Sequence, residues 1–168
     1  GVFKSFLVQQ LAFCAACGVP WVGYALQRPL RAHYIQGDVL KGDFKKRHRA
    51  MWEGGSWPAE LIESNLRLTR LYSFRLDTEE RWEELYRTVG KSRAELVILD
   101  PLSAFMGGSE NNDIAAKYFV DGLDKLRERT GSAVVLVHHR RKPAMFEGRV
   151  PEGGGYLEAR GSTHLIGW

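Results

Sequence analysis

Apolar residues at Leu7, Leu11 and Cys14 recur at helical spacing across residues 4–18, and a second row of Phe6, Phe13 and Cys17 runs beside them. The resulting helix is apolar around most of its circumference and is expected to be buried, with Gly18 and Pro20 as its stop. A short apolar connector over 21–30 leads to Ala32–Gln36, whose His-Tyr-Ile centre suits a strand ending at Gly37 and Asp38. Residues 41–51 read as a strongly basic helix, and Gly54, Gly55, Ser56, Trp57 and Pro58 as a turn. Residues 65–73 alternate Leu66, Leu68 and Leu71 with Arg67 and Arg70, which predicts a strand. The acidic opening of 77–88, with Trp82, Leu85 and Tyr86 at helical spacing, predicts a helix. The continuous run 96–99, closed by Asp100 and Pro101, predicts a central parallel strand covered on both faces. The longest helix is expected over 111–130 with Gly131 closing it, followed by an aliphatic strand over 132–137 that passes into His138 and His139. Beyond Lys142 the glycines and prolines predict a mobile loop before a last helix at about 158–166. There is no internal repeat.

Strands alternating with helices argue for an α/β fold, an open and mostly parallel sheet with helices on both faces. Ligands of such sheets sit outside the carboxyl ends of the strands. Gly37 and Asp38, Asp100, and His138 and His139 each follow a predicted strand, so they are expected to share one rim. Length and composition agree with one soluble domain over residues 1–168. Of 168 residues, 44% are hydrophobic and 26% charged, which excludes wholesale disorder and a coiled coil. No apolar run approaches the roughly 18 to 20 residues that span a bilayer, so no membrane partner and a cytoplasmic location are expected. Cys14 and Cys17 form a C-x-x-C pair inside an apolar helical run, without the helix start that activates a redox thiol or the further ligands that a structural zinc needs. They read as small buried hydrophobes.

Two segments carry candidate chemistry. Gly1-Val2-Phe3-Lys4-Ser5, followed at once by a helix, has the form of the end of a phosphate-binding loop, where a Lys reaches the terminal phosphates and a hydroxyl serves magnesium. Phe3 stands where that pattern has Gly, and Lys4 and Ser5 also suit an exposed cation and a helix cap. Leu96-Val97-Ile98-Leu99-Asp100 delivers a carboxylate to the rim, as a magnesium site requires, although strands also end in Asp for turn chemistry. In this order the two segments favour a nucleotide site. Lys41, Lys45, Lys46, Arg47 and Arg49 make one basic stretch, and Arg140, Arg141, Lys142 and Arg149 another. Such charge suits a polyanion, while the net charge of +4 is modest and a basic helix is also an ordinary solvated face.

With Tyr34-Ile35-Gln36-Gly37-Asp38, the strand ending Asp100-Pro101-Leu102, the strand leading to His138-His139-Arg140-Arg141-Lys142, and Ala159-Arg160-Gly161-Ser162, these segments make the chain resemble RecA-like P-loop ATPases. The resemblance is strongest to the branch of hexameric plasmid replicative helicases and related AAA-family proteins. It implies ATP and Mg2+ as ligands, with Gly1, Lys4, Ser5, Asp100 and His138 at the nucleotide, and Ser5 and Asp100 at the metal. It implies that Asp38 orients the attacking water where the family usually has Glu, one methylene longer. Asp38 could instead cap the basic helix. The resemblance further gives His138 and His139 the place of the phosphate sensor, with His139 favoured toward the loop side. Arg160 would be an arginine contributed to a neighbouring subunit, or else a surface residue. It implies a homo-oligomeric ring or filament, single-stranded DNA held by basic loops, and a first strand and loop opening that are missing before Gly1. Because Phe3 and Asp38 depart from the family pattern, a nucleotide-sensing DNA-binding or assembly module with little hydrolysis stands as the alternative. A P-loop kinase fits less well.

Overall fold

The computed structural model describes residues 2–108 and 112–138. Four parallel strands, β1 (Ala32–Gln36), β2 (Leu66–Arg70), β3 (Leu96–Asp100) and β4 (Ala133–Leu136), form a sheet in the order β2-β1-β3-β4. Between them lie α1 (Val2–Cys17), α2 (Lys41–Glu53), α3 (Ala59–Asn65), α4 (Glu79–Ser92), α5 (Leu102–Phe105) and α6 (Asp113–Thr130). The sequence-based α/β architecture is therefore present.

The period of two along the strands divides the core. Tyr34 on β1 and Leu96 and Ile98 on β3 turn to α1, where Ala12 and Ala15 are small enough to let the helix lie close. Ile35, Val97 and Leu99 turn the other way, onto Trp82, Leu85 and Val89 of α4 and Phe119, Leu123 and Leu126 of α6. All five residues of β3 are buried, as a strand covered on both faces requires. β4 is less covered than β3, with Ala133 exposed and the rest half-buried.

Helix ends follow local chemistry. Thr78 caps α4 by accepting from the Arg81 amide, and Asn112 caps α6 by accepting from the Ile114 and Ala115 amides. Gly131 closes α6 in the left-handed region, at φ 68°, which a glycine adopts without a Cβ clash.

Three expectations need correction. The first helix is buried only in its second half: Ala12 to Cys17 are covered, whereas Phe3 is 87% exposed and Phe6 and Leu7 also face solvent. Its opening turns lie at the carboxyl ends of the strands, where Lys4 and Ser5 meet β4 and β3, so the sheet does not cover them. The second strand is shorter than 65–73, because Asn65 ends α3 and uses its side-chain amide on the Ala16 carbonyl at 3.0 Å. α3 and α5 were not anticipated. The expected loop after Lys142 and the helix at 158–166 lie outside the described residues.

Cys14 and Cys17 are free and buried, and burial pushes both thiols up, away from the thiolate that redox or metal chemistry needs. Among the described residues no helix is long and apolar enough to cross a membrane.

His33 contributes a pH-dependent tie. It is fully buried in β1, with Nδ1 3.1 Å from Ser92 Oγ and Nε2 2.8 Å from Thr69 Oγ1. Burial, assisted by the nearby Arg67 charge, lowers its pKa from 6.5 to about 4. The unfolded chain binds this proton more readily, so the stabilisation is complete above about pH 6.5 and is lost as pH falls toward 4. Burial of His48 acts in the same direction. Thermal melts are expected to drop across this window, His33 contributing on the order of 3 kcal/mol. His33→Gln should flatten the profile, and a melting temperature constant from pH 6.5 to 4 would contradict this assignment.

Candidate nucleotide site

The sheet brings four predicted residues, Lys4, Ser5, Asp100 and His138, together at the carboxyl ends of β3 and β4. Lys4 and Ser5 occupy the first turn of α1, and both are half-buried. Ser5 Oγ donates to Asp100 Oδ1 at 3.1 Å, and Lys4 Nζ donates to the His138 carbonyl at 2.7 Å, just past β4. Because α1 begins at Val2, Ser5 lies inside its first turn and is not its cap. The amides of this turn have no partner one turn earlier within the helix, so the turn itself offers donors to an anion beside the Lys4 ammonium.

Asp100 is fully buried at the end of β3. A charge in that position needs satisfied oxygens, and Ser5 and Tyr34 each donate to one of them. The backbone holds it as well: its carbonyl accepts from the Gly37 amide at 2.8 Å, which locks the ends of β1 and β3 together. The following peptide, to Pro101, is cis.

Asp38 stands two residues beyond the end of β1 and is exposed. Its Oδ1 accepts from Gln36 Nε2 at 2.8 Å. The capping alternative is not what the structure holds, because Leu40 is the residue before α2 and no side chain caps that helix. On its other side Asp38 borders an open cleft of about 280 Å³ with Tyr72, Arg75 and Ser103. Gly37 places it there by close approach: a Cβ at Gly37 would come within 2.5 Å of Ala104 Cβ and 2.9 Å of the Phe105 ring, so only glycine lets α5 pack under this turn.

The residues fit magnesium. A hydroxyl and a carboxylate are hard oxygen ligands, and magnesium takes few ligands from protein, completing its shell with water and phosphate oxygens. No cluster of three or more His, Cys, Asp or Glu side chains suited to a metal occurs among the described residues. His138 joins the site through its main chain. Gly1, His139 and Arg160, with Arg140, Arg141, Lys142 and Arg149, lie outside the described residues. The other basic stretch lies on α2, where Lys41, Lys45, Lys46 and Arg49 are exposed and Phe44 and His48 form the inner face.

Sequence reasoning assigned no role to Tyr34 and Gln36, which link Asp100 to Asp38. The Tyr34 hydroxyl donates to Asp100 Oδ2 and lies 2.6 Å from Gln36 Oε1. Burial first, and then the adjacent Asp100 charge, push the Tyr34 hydroxyl up, so it stays protonated. The spacing of two puts Gln36 on the same face of β1 as Tyr34, but nothing in the sequence says what that face meets.

An all-parallel sheet covered by helices on both faces, with these groups at the carboxyl ends of its strands, is a RecA-like P-loop architecture. The family model described as an AAA domain matches residues 1–145, and the chain belongs to that family of nucleotide-binding ATPases. No curated protein matches the chain.

Proposed function

We propose that this chain is a magnesium-dependent ATPase domain that works as a homo-oligomeric ring or filament and couples hydrolysis to movement along, or remodelling of, single-stranded DNA. The observation that carries the nucleotide part is the Ser5–Asp100 hydrogen bond, which joins the start of α1 to the end of β3 with Lys4 alongside. In this reading Lys4 binds the terminal phosphates, and Ser5 and Asp100 hold the metal, Asp100 through water. Bound magnesium supplies charge neutralisation on the phosphates. Asp38 orients the attacking water, and positioning together with charge complementarity provides most of the rate. From the sequence, Gly1 belongs to the phosphate loop, His138 and His139 to the sensor, and Arg160 to a neighbouring subunit's site.

The exposed basic face of α2 and the basic residues at 140–149 favour a polyanionic partner bound through its backbone, without strong sequence preference. The resemblance of the sequence motifs to the replicative-helicase branch agrees with such a partner. The test is phosphate release from ATP with magnesium, with and without single-stranded DNA. Turnover that vanishes on chelation, rises several-fold with DNA and loses that stimulation as salt increases is the expected result. Nucleotide binding with negligible, unstimulated turnover would favour the second reading, a nucleotide-sensing DNA-binding or assembly module, to which Phe3, standing where the phosphate-loop pattern has Gly, and the short Asp38 side chain point.

A further inference from the structure

Asp38 and Asp100 have separate tasks in the proposed reaction, yet the fold connects them through two buried side chains. Tyr34 and Gln36 are 1% and 2% exposed and lie on the same face of β1, and Gln36 pairs in register with Asp100. Gln36 Nε2 donates to Asp38 Oδ1 at 2.8 Å, Gln36 Oε1 lies 2.6 Å from the Tyr34 hydroxyl, and that hydroxyl donates to Asp100 Oδ2. An ionised carboxylate only accepts, so Asp38 fixes the amide with its NH2 outward and its oxygen toward Tyr34. The phenol has one proton and two acceptors. Whatever draws negative charge away from Asp100 weakens that acceptor and turns the proton toward Gln36. The amide then becomes a better donor to Asp38, because hydrogen bonds in a chain polarise one another.

We propose that Tyr34 and Gln36 are positioning residues, a two-side-chain relay through which the charge at Asp100 sets how firmly Asp38 is held. The inference rests on the reading of Asp38 as the water-orienting carboxylate, but the relay has a readout that needs no turnover. The chain contains four glutamines, so the Gln36 side-chain amide can be followed in a 15N-glutamine-labelled protein and assigned by its loss in Gln36→Leu. Asp100→Asn is expected to shift the Gln36 amide signal, and Tyr34→Phe to remove at least half of that shift. Phe keeps the ring that packs edge-on against His48 at 5.5 Å, and the backbone amide spectrum reports whether each variant is folded.

In turnover, Tyr34→Phe and Gln36→Leu are each expected to lower kcat about ten-fold with KM nearly unchanged, the worth of one hydrogen bond. Gln36→Leu should add less than about two-fold in an Asp38→Asn background, because both act through one carboxylate. A Gln36 signal indifferent to Asp100→Asn, or equally responsive with Phe at 34, overturns the relay, as does a Gln36→Leu loss that multiplies fully upon Asp38→Asn. Intact spectroscopic coupling in a protein without turnover would support the relay and refute the ATPase reading. Turnover without coupling would do the reverse.

Discussion

Lys4→Ala is expected to weaken ATP binding by about 10- to 100-fold, the 1.5–3 kcal/mol of hydrogen bonding that one charged donor contributes. The reason lies in where the residue stands. The first turn of α1 opens at the carboxyl ends of β3 and β4, its amides lack partners within the helix, and Lys4 lies on that turn with its ammonium at the end of β4. In the structure that ammonium donates to the His138 carbonyl at 2.7 Å, a neutral acceptor that a phosphate would outcompete. If Lys4 served only to tie α1 to the end of β4, the substitution would lower the melting temperature and leave affinity alone. Isothermal titration with ATP and magnesium, beside a thermal melt, separates the two. An unchanged affinity would contradict the phosphate-binding role.

The second large effect falls on rate. Asp38→Asn keeps the side chain's size while removing its charge, and kcat is expected to fall about 100-fold or more, with the dissociation constant for ATP within about three-fold. Asp38 is exposed at the rim and held by Gln36; in the proposed reading it faces a water beyond the phosphates and contributes little to ground-state binding. Asp38→Glu gives the sharper comparison. The added methylene restores the length usual in the resembled family, and a faster Glu variant would identify the short side chain as the limit on turnover. Parallel losses of binding and rate in Asp38→Asn would instead place Asp38 among the nucleotide ligands.

Much of this arrangement was legible in the sequence where it depends on local pattern. The run Leu96–Asp100 could hardly be anything but a strand covered on both faces, and its final carboxylate was bound to emerge at the rim. Lys4 and Ser5 were legible because a helix starts there, and their meeting with His138 and Asp100 followed from the parallel topology. α3 and α5 escaped because they are short, of 7 and 4 residues, and each follows a proline that reads as a turn. The first helix was expected to be buried because its apolar rows continue to its start, but periodicity carries no information about where the sheet beneath it ends. The Tyr34–Gln36 link was invisible for a related reason. It depends on the register that sets Gln36 beside Asp100, 64 positions away along the chain, and no local pattern encodes such pairing.

The convergence of an ammonium, a hydroxyl and two carboxylates around a metal-bound triphosphate is tested most directly by a crystal structure of the chain with magnesium and a non-hydrolysable ATP analogue. The expected result is magnesium within about 2.1 Å of Ser5 Oγ, Asp100 reaching it through water, and Lys4 Nζ moved from the His138 carbonyl to a phosphate oxygen. Nucleotide bound elsewhere, with the Lys4–His138 and Ser5–Asp100 hydrogen bonds intact, would contradict it.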